Sequence, residues 1–355
     1  MTQPDYLPVF ELTRGNQVES VHFGAIAVVD VYGRLVAHYG NPKTVTFLRS
    51  SAKPFQLLPF LERGGKSYYG LNQTEIAVMC ASHSGTDMHV AVIQGIQSRA
   101  GFGEDALQCG VHMPGDEATA EALQQRGEQP TPNRHNCSGK HTGMLAYAQM
   151  TGRRYPDLSY LSPQHPIQQE ILCTFAEMSA LPQDEVELGT DGCSAPNFAI
   201  PLYNAAYAYA RLCDPEAGQV GPPERASACH QVTGAMMHSP EMIAGPGKFD
   251  TRLMQVTRNK LVSKGGAEGY QGIGVMAGVL APGAPAIGIA FKISDGDERG
   301  KIRSAVALEI LRQLGVLSQN ELLELKNFGP VFEVRNWREL LVGQGRPDFI
   351  LEHDS

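Results

Sequence analysis

An α+β fold, with an antiparallel sheet of N- and C-terminal strands and a mostly helical middle region, is what the 355-residue sequence predicts. Three observations point there. Residues 18–40 read as strands, residues 269–280 and 285–294 read as strands again, and helical spacing recurs through the stretch between them.

The elements follow in order. Val21 to Val29 is apolar with small residues, Asp30-Val31-Tyr32-Gly33-Arg34 supplies a turn, and Leu35 to Tyr39 returns as the hairpin partner. A helix is expected from about Ser51 to Leu61. With Ser51 as its N-cap, Pro54 falls at the third helical position, whose N–H has no partner within a helix anyway. Pro59 is expected to kink this helix or end it early. Helical patterns recur at about 74–81, 89–99, 116–126, 165–180, 197–212, 225–238, 249–262, 299–314 and 319–326. In one of them Ile171, Leu172, Phe175 and Met178 share a face. Ala281-Pro282-Gly283-Ala284-Pro285 separates the two late strands. The reading is of one domain over residues 1–355. Within it, 1–110 plus 240–355 would form an α/β subdomain and 111–239 a helical one.

Composition limits the partners. A net charge of −8 argues against nucleic acid and anionic membranes. The start lacks a basic region followed by an apolar run, and no stretch approaches the ~18 apolar residues of a span, so neither a signal peptide nor a membrane span is expected. The seven cysteines are scattered with no Cys-x-x-Cys pair. That pattern fits a reduced, cytoplasmic setting with buried thiols and room for a metal site.

Two motifs are set aside. Gly272-Ile273-Gly274-Val275-Met276-Ala277 resembles a dinucleotide fingerprint, yet it lies inside an apolar strand pattern. Ser138-Gly139-Lys140-His141 resembles the end of a phosphate loop, but the upstream glycine is missing and His141 replaces the metal-binding hydroxyl.

Four polar segments carry chemistry. In Arg49-Ser50-Ser51-Ala52-Lys53, Ser50 and Lys53 are three apart and share a helical face, whereas Ser51 lies about 200° round from Lys53. A serine hydroxyl is a weak nucleophile without a base beside it, and a lysine amine in its neutral form can take its proton. Ser50 is therefore the candidate nucleophile, and an isolated match would be no more than a capping serine before a surface lysine. Ala81-Ser82-His83-Ser84-Gly85 follows an apolar run and offers Ser82 as a second hydroxyl to relay a proton. A single histidine such as His83, without a placed partner, reads as a hydrogen-bonded wall residue. Ser263-Lys264-Gly265-Gly266 places a cation beside backbone that a substrate can approach closely. The order Ser-x-x-Lys, serine, Lys-x-Gly is the arrangement of serine β-lactamases. Finally, Cys137 and Cys193 sit in polar segments, Asn136–Gly143 and Thr190–Asn197, that read as glycine-rich loops. They could bind a soft cation or serve redox chemistry, although no standard zinc spacing is present. Asp191 offers a carboxylate to a substrate ammonium group.

Together these segments resemble the rhizobial-type (class 3) L-asparaginases of the asparaginase II family, from Gly24 to about Gly329. The resemblance implies a fold similar to serine β-lactamases and serine-dependent glutaminases. It implies two serine–lysine pairs, Ser50 with Lys53 and Ser82 with Lys264. It implies zinc held by Cys137, Lys140 and Cys193, with Asp191 close to both metal and substrate; Arg49 and Asp191 are assigned to substrate binding. The expected activity is hydrolysis of L-asparagine to aspartate and ammonia through an acyl-serine intermediate, by a cytoplasmic homodimer. Alternatives are a glutaminase or other β-lactamase-like serine amidohydrolase, and a non-enzymatic amino-acid binding or sensor module.

Overall fold

The computed structural model describes residues 5–152, 159–298 and 300–353. The chain opens with strands β1 (Leu7–Arg14), β2 (Gln17–Asp30), β3 (Leu35–Tyr39) and β4 (Val45–Phe47). Helices α1 (Lys53–Glu62), α2 (Gly65–Tyr69), α3 (Gln73–Met79), α4 (Asp87–Ala100), α5 (Glu117–Arg126), α6 (Ser138–Met150) and α7 (Pro166–Met178) follow. Strands β5 (Glu187–Thr190) and β6 (Pro196–Pro201) lead into α8 (Leu202–Cys213), α9 (Pro223–His238), α10 (Pro240–Ala244) and α11 (Phe249–Thr257). The chain ends with β7 (Leu261–Gly265), β8 (Tyr270–Val275), β9 (Ile287–Ile293), α12 (Ile302–Gln313), α13 (Gln319–Glu324), β10 (Phe332–Arg335), β11 (Leu341–Pro347) and β12 (Glu352–His353). The class is α+β. Among the described residues, no helix is long and apolar enough to cross a membrane.

Two compact units divide the chain: Met1–Ser51, Ala199–Gly218 and Val256–Ser355 in one, Ala52–Phe198 and Gln219–Gln255 in the other. These boundaries differ from the expected 110 and 240, because α1, α3 and α4 pack against α6, α7 and α9.

The first unit is a sheet in the order β10-β11-β1-β2-β9-β8-β7, with β3 lying between β2 and β12. Its pairings are antiparallel, and N-terminal strands pair with C-terminal ones as the sequence predicts: β2 with β9, Gly24 opposite Ile293 through Asp30 opposite Ile287, and β1 with β11. The second half of β2, Gly24–Asp30, lies between β3 and β9 and is buried. Helix α8 lies on one face of the sheet, against β2, β8 and β9. Gly288 permits this approach, since a Cβ there would stand 1.8 Å from the Ala206 carbonyl oxygen. Gly272 and Gly274 face the same helix, against Tyr209 and Cys213. The dinucleotide-like glycines are thus a helix-docking face. Gln271, one residue along β8, points the other way and accepts from Arg303 of α12, so helices cover both faces.

The second unit is helical. Every residue of α1 except Glu62 is buried, against α6, α7 and α9. Pro59 neither ends nor shortens α1, contrary to expectation: the helix runs on to Glu62, and Pro59 itself accepts the Arg63 N–H through its carbonyl. A proline deletes one intrahelical donor, and burial of the helix on its packed faces outweighs that loss.

Other expectations are corrected by long-range pairing. The helical pattern at 197–212 is the strand β6 followed by α8, because Ala199, Ile200 and Pro201 pair with Phe47, Thr46 and Val45. The pattern at 249–262 stops at Thr257, and Leu261 and Val262 open β7 by pairing with Val275 and Gly274 of β8. The pattern at 299–314 forms α12 from Ile302; its first residue, Arg299, lies outside the described residues.

Candidate active site

The first reactive segment is a 3-10 turn, Arg49–Ala52, that runs directly into α1. Ser51 N–H bonds the Leu48 carbonyl at 3.1 Å, which tightens the turn and delays the α-helix to Lys53. Ser51 is therefore not the cap of α1. Ala52 holds that position without a side-chain cap, and Pro54 is in the first turn. Ser51 is fully buried and its hydroxyl donates to the Lys264 carbonyl at 2.6 Å, while Tyr209 Oη donates to the Ser51 carbonyl at 2.8 Å. Its chemistry is spent on structure. Ser50 is only half-buried. It lies in the 3-10 turn, three residues before Lys53, the first residue of α1. Arg49 has a left-handed φ of 52°, rare for a side chain with a Cβ, and its guanidinium lies 3.8 Å from Glu268.

Lys53 is 1 % exposed. Its ammonium donates to the Ala81 carbonyl at 2.6 Å, to Ser82 Oγ at 2.8 Å and to Cys137 Sγ at 3.1 Å. Three donors meet three acceptors, which is what makes burial of this cation tolerable. One lysine thus touches a candidate relay hydroxyl and a candidate metal ligand.

The Ser82 loop is held from several sides. Ser82 N–H donates to the Ile243 carbonyl at 2.8 Å. His83 Nδ1 accepts the Gly85 N–H at 3.1 Å, so the proton sits on Nε2 and is donated to Ser138 Oγ at 2.9 Å; that hydroxyl in turn donates to the Asn133 carbonyl at 2.8 Å. Burial holds His83 well below the ordinary imidazole range, reinforced by His89 and Lys53. It is a neutral, hydrogen-bonded wall residue, as its lone occurrence suggests.

Cys137 precedes α6, and the expected loop at 136–143 is corrected to the first turns of that helix. Gly139 lies inside that helix where it meets α3: a Cβ there would stand 2.0 Å from the Val78 carbonyl oxygen. The glycine marks a close helix contact rather than a turn. Lys140 Nζ donates to Cys193 Sγ at 3.0 Å, and Cys193 lies 3.6 Å from Asp191 Oδ2. The ligand atoms of Cys137, Asp191 and Cys193 all fall within 4.8 Å of one another. The Cys193 thiol donates to Cys137, and with Lys53 and Lys140 nearby it holds the Cys137 thiol well below its usual range against the effect of burial. The same bond pushes Cys193 up. Burial lowers Lys140, but the two sulfurs raise it further. Two buried sulfurs, a buried amine and a half-buried carboxylate are a donor set that suits zinc.

Lys264 lies in β7 and is 1 % exposed; its ammonium donates to the Gly265 carbonyl at 2.7 Å. Ser263, on the opposite face, accepts from Gln271 Nε2 at 2.9 Å.

Sequence reasoning missed the carbonyls of Ala81 and Ile243 and the Ser138–Asn133 support of His83. Backbone carbonyls have no sequence signature. Ser138 had one, in the motif set aside as a phosphate loop.

The sequence matches L-asparaginase II over residues 10–347, so the chain belongs to that family and is an amidohydrolase. No curated protein matches it. Similar solved structures include the Bacillus subtilis glutaminase YbgJ in covalent complex with 5-oxo-L-norleucine, at 13% identity over 83% of this chain and 89% of that one, TM-score 0.39. Another is a probable glutaminase from Bacillus subtilis complexed with 6-diazo-5-oxo-L-norleucine, at 11% identity over 82% and 84%, TM-score 0.40.

Proposed function

We propose that this protein hydrolyses the side-chain amide of L-asparagine to aspartate and ammonia, with Ser50 as nucleophile. The observation that carries the reading is the Lys53–Ser82 hydrogen bond at 2.8 Å in a member of the L-asparaginase II family. Ser50 Oγ attacks the amide carbon while Lys53, in its neutral form, takes the hydroxyl proton. The oxyanion is stabilised by backbone N–H groups, including that of Ser50. When the C–N bond breaks, the proton passes from Lys53 through Ser82 Oγ to the departing nitrogen, and ammonia leaves. Lys264 is the second lysine that the family resemblance assigns to the reaction; its ammonium donates to the Gly265 carbonyl at 2.7 Å. Water then adds to the acyl carbon and returns a proton to Ser50, releasing aspartate.

Asp191 offers its carboxylate to the substrate ammonium, and Arg49 its guanidinium to the substrate carboxylate. Cys137, Lys140 and Cys193 would hold zinc, which when bound supplies a fixed positive charge that orients substrate rather than a hydroxide. A reducing, cytoplasmic setting keeps these cysteines as thiols, and neither Cys137 nor Cys193 is in a disulfide here.

Ammonia release from asparagine and glutamine, run beside hydrolysis of a β-lactam, tests the reading. Turnover with asparagine is expected. Turnover with glutamine alone would make the protein a glutaminase, and absence of turnover with every substrate would make it a binding module.

A further inference from the structure

We infer that His135 and His112 are positioning residues for the metal site: a pair of imidazoles that hold the two peptide N–H groups leading into Cys137 and so fix where its sulfur lies. The inference rests on the reading of Cys137, Lys140 and Cys193 as zinc ligands.

Those ligands come from two segments, the start of α6 and the stretch between β5 and β6. Cys137 stands at the N-cap of α6, ahead of the first helical turn, and its own side chain makes no cap. A helix supplies no partner for the N–H groups at its start, and a buried N–H left unpaired is costly. Cys137 is buried, so its N–H needs a partner from elsewhere in the fold.

Two histidines provide the acceptors. His135 Nδ1 accepts the Cys137 N–H at 3.0 Å, and His112 Nε2 accepts the Asn136 N–H at 3.1 Å. The two rings pack together with centroids 4.4 Å apart. An imidazole nitrogen accepts only when it carries no proton. In His112 the proton is on Nδ1, which donates to the Met113 carbonyl at 2.6 Å. In His135 it is on Nε2. His135 is anchored in turn: its N–H donates to the Pro132 carbonyl at 3.1 Å, and its carbonyl accepts the Ser138 N–H at 2.9 Å.

The clamp settles the peptide on the N-terminal side of Cys137. Helix α6 settles the other side, where the Cys137 carbonyl accepts the His141 N–H at 3.1 Å. With both peptides held, the Cα–Cβ bond has one direction, and the sulfur lies where Lys53 Nζ reaches it at 3.1 Å. Neither histidine belongs to the group of ligand atoms itself, which among the described residues comprises Cys137, Asp191 and Cys193. Their role is to aim a ligand that must otherwise be ordered when the metal arrives.

Zinc affinity of the full chain, read by competition with a chelator, tests this. His135→Ala should bind zinc about 10–100-fold more weakly than wild type. His135→Asn should recover most of the loss, because an asparagine oxygen accepts the N–H two residues on, as His135 Nδ1 does here. His112→Ala, at a half-buried position, should weaken zinc in the same direction, and it carries the test should His135→Ala fail to fold. With cobalt(II) in place of zinc, the thiolate-to-metal absorption should keep its wavelength in His135→Ala, since the ligands are unchanged. A shifted band would make His135 a ligand and overturn the positioning role. Variants that lose stability but bind zinc as tightly as wild type when folded overturn it too, as does an asparagine variant no better than alanine. A wild type that holds no zinc overturns the metal reading and this inference with it, whereas a wild type that holds zinc beside an equally tight His135→Ala overturns this inference alone.

Discussion

Lys53 and Ser82, 29 positions apart in sequence, are joined by a hydrogen bond of 2.8 Å from the lysine ammonium to the serine oxygen. The motif that first draws attention to Lys53 pairs it with Ser50. The structure places a second hydroxyl, that of Ser82, within hydrogen-bond reach of the same amine.

Lys53→Met keeps the volume of the buried side chain and removes its donors. Steady-state ammonia release should fall by about 10²–10⁴ in kcat with little change in KM. Equal loss of kcat/KM through KM alone would assign Lys53 to binding.

Ser50 and its neighbour Ser51 should separate chemistry from structure. Ser51→Ala removes the 2.6 Å bond to the buried Lys264 carbonyl and should lower stability by about 1–3 kcal/mol, read by denaturant titration. Ser50→Ala, at a half-buried position, should leave the unfolding midpoint within experimental error of wild type.

Zinc binding should weaken as pH falls. Cys137 and Cys193 must lose their protons to bind a metal, and so must Lys140, whose pKa lies above the ordinary amine value. Protons therefore compete with the ion. Metal analysis after dialysis at about pH 8 and about pH 5 should show occupancy at the higher value only, and Cys193→Ser should bind little at either.

Gly139→Ala places a methyl 2.0 Å from the Val78 oxygen, so α6 must move away from α3. A stability loss of about 1–3 kcal/mol is expected together with weakened zinc binding, because Cys137 and Lys140 ride on that helix. An unchanged melting curve would contradict the reading of Gly139 as a packing glycine.

Acid should loosen α13. Burial raises Glu321, but the Lys260 ammonium and the Ser318 N–H and hydroxyl outweigh it and hold its pKa below the ordinary carboxylate value. Its contribution is present above the unfolded pKa, about 4.3, and is lost as pH falls through the lower folded value. Glu321→Gln should flatten this part of the acid limb in a pH series of unfolding midpoints.

Much of this was legible in the sequence where the signal is local. The β2–β3 hairpin, the strand β9 and the helices α3, α4, α5, α7 and α9 lie where periodicity puts them, and β8 lies within its expected stretch of 269–280 but ends at Val275. The chemical segments were found by rare residues beside small ones. What local reading could not supply depends on distant partners. Gly139 looks like a loop residue until Val78 is beside it, and Pro196–Pro201 looks helical until β4 pairs with it. Pro59 breaks an isolated helix but not one packed against α6, α7 and α9. The exposed β10–β11 hairpin carries a polar alternation that apolar patterning overlooks. The Lys53–Ser82 contact needed the fold, since nothing in either segment names the other.

Ammonia release from L-asparagine by wild type and Ser50→Ala, at equal concentrations of folded protein, tests the central claim most directly. Release by the wild type, with none above background from Ser50→Ala, is the predicted result. Undiminished release by Ser50→Ala, or no release by the wild type, would contradict it.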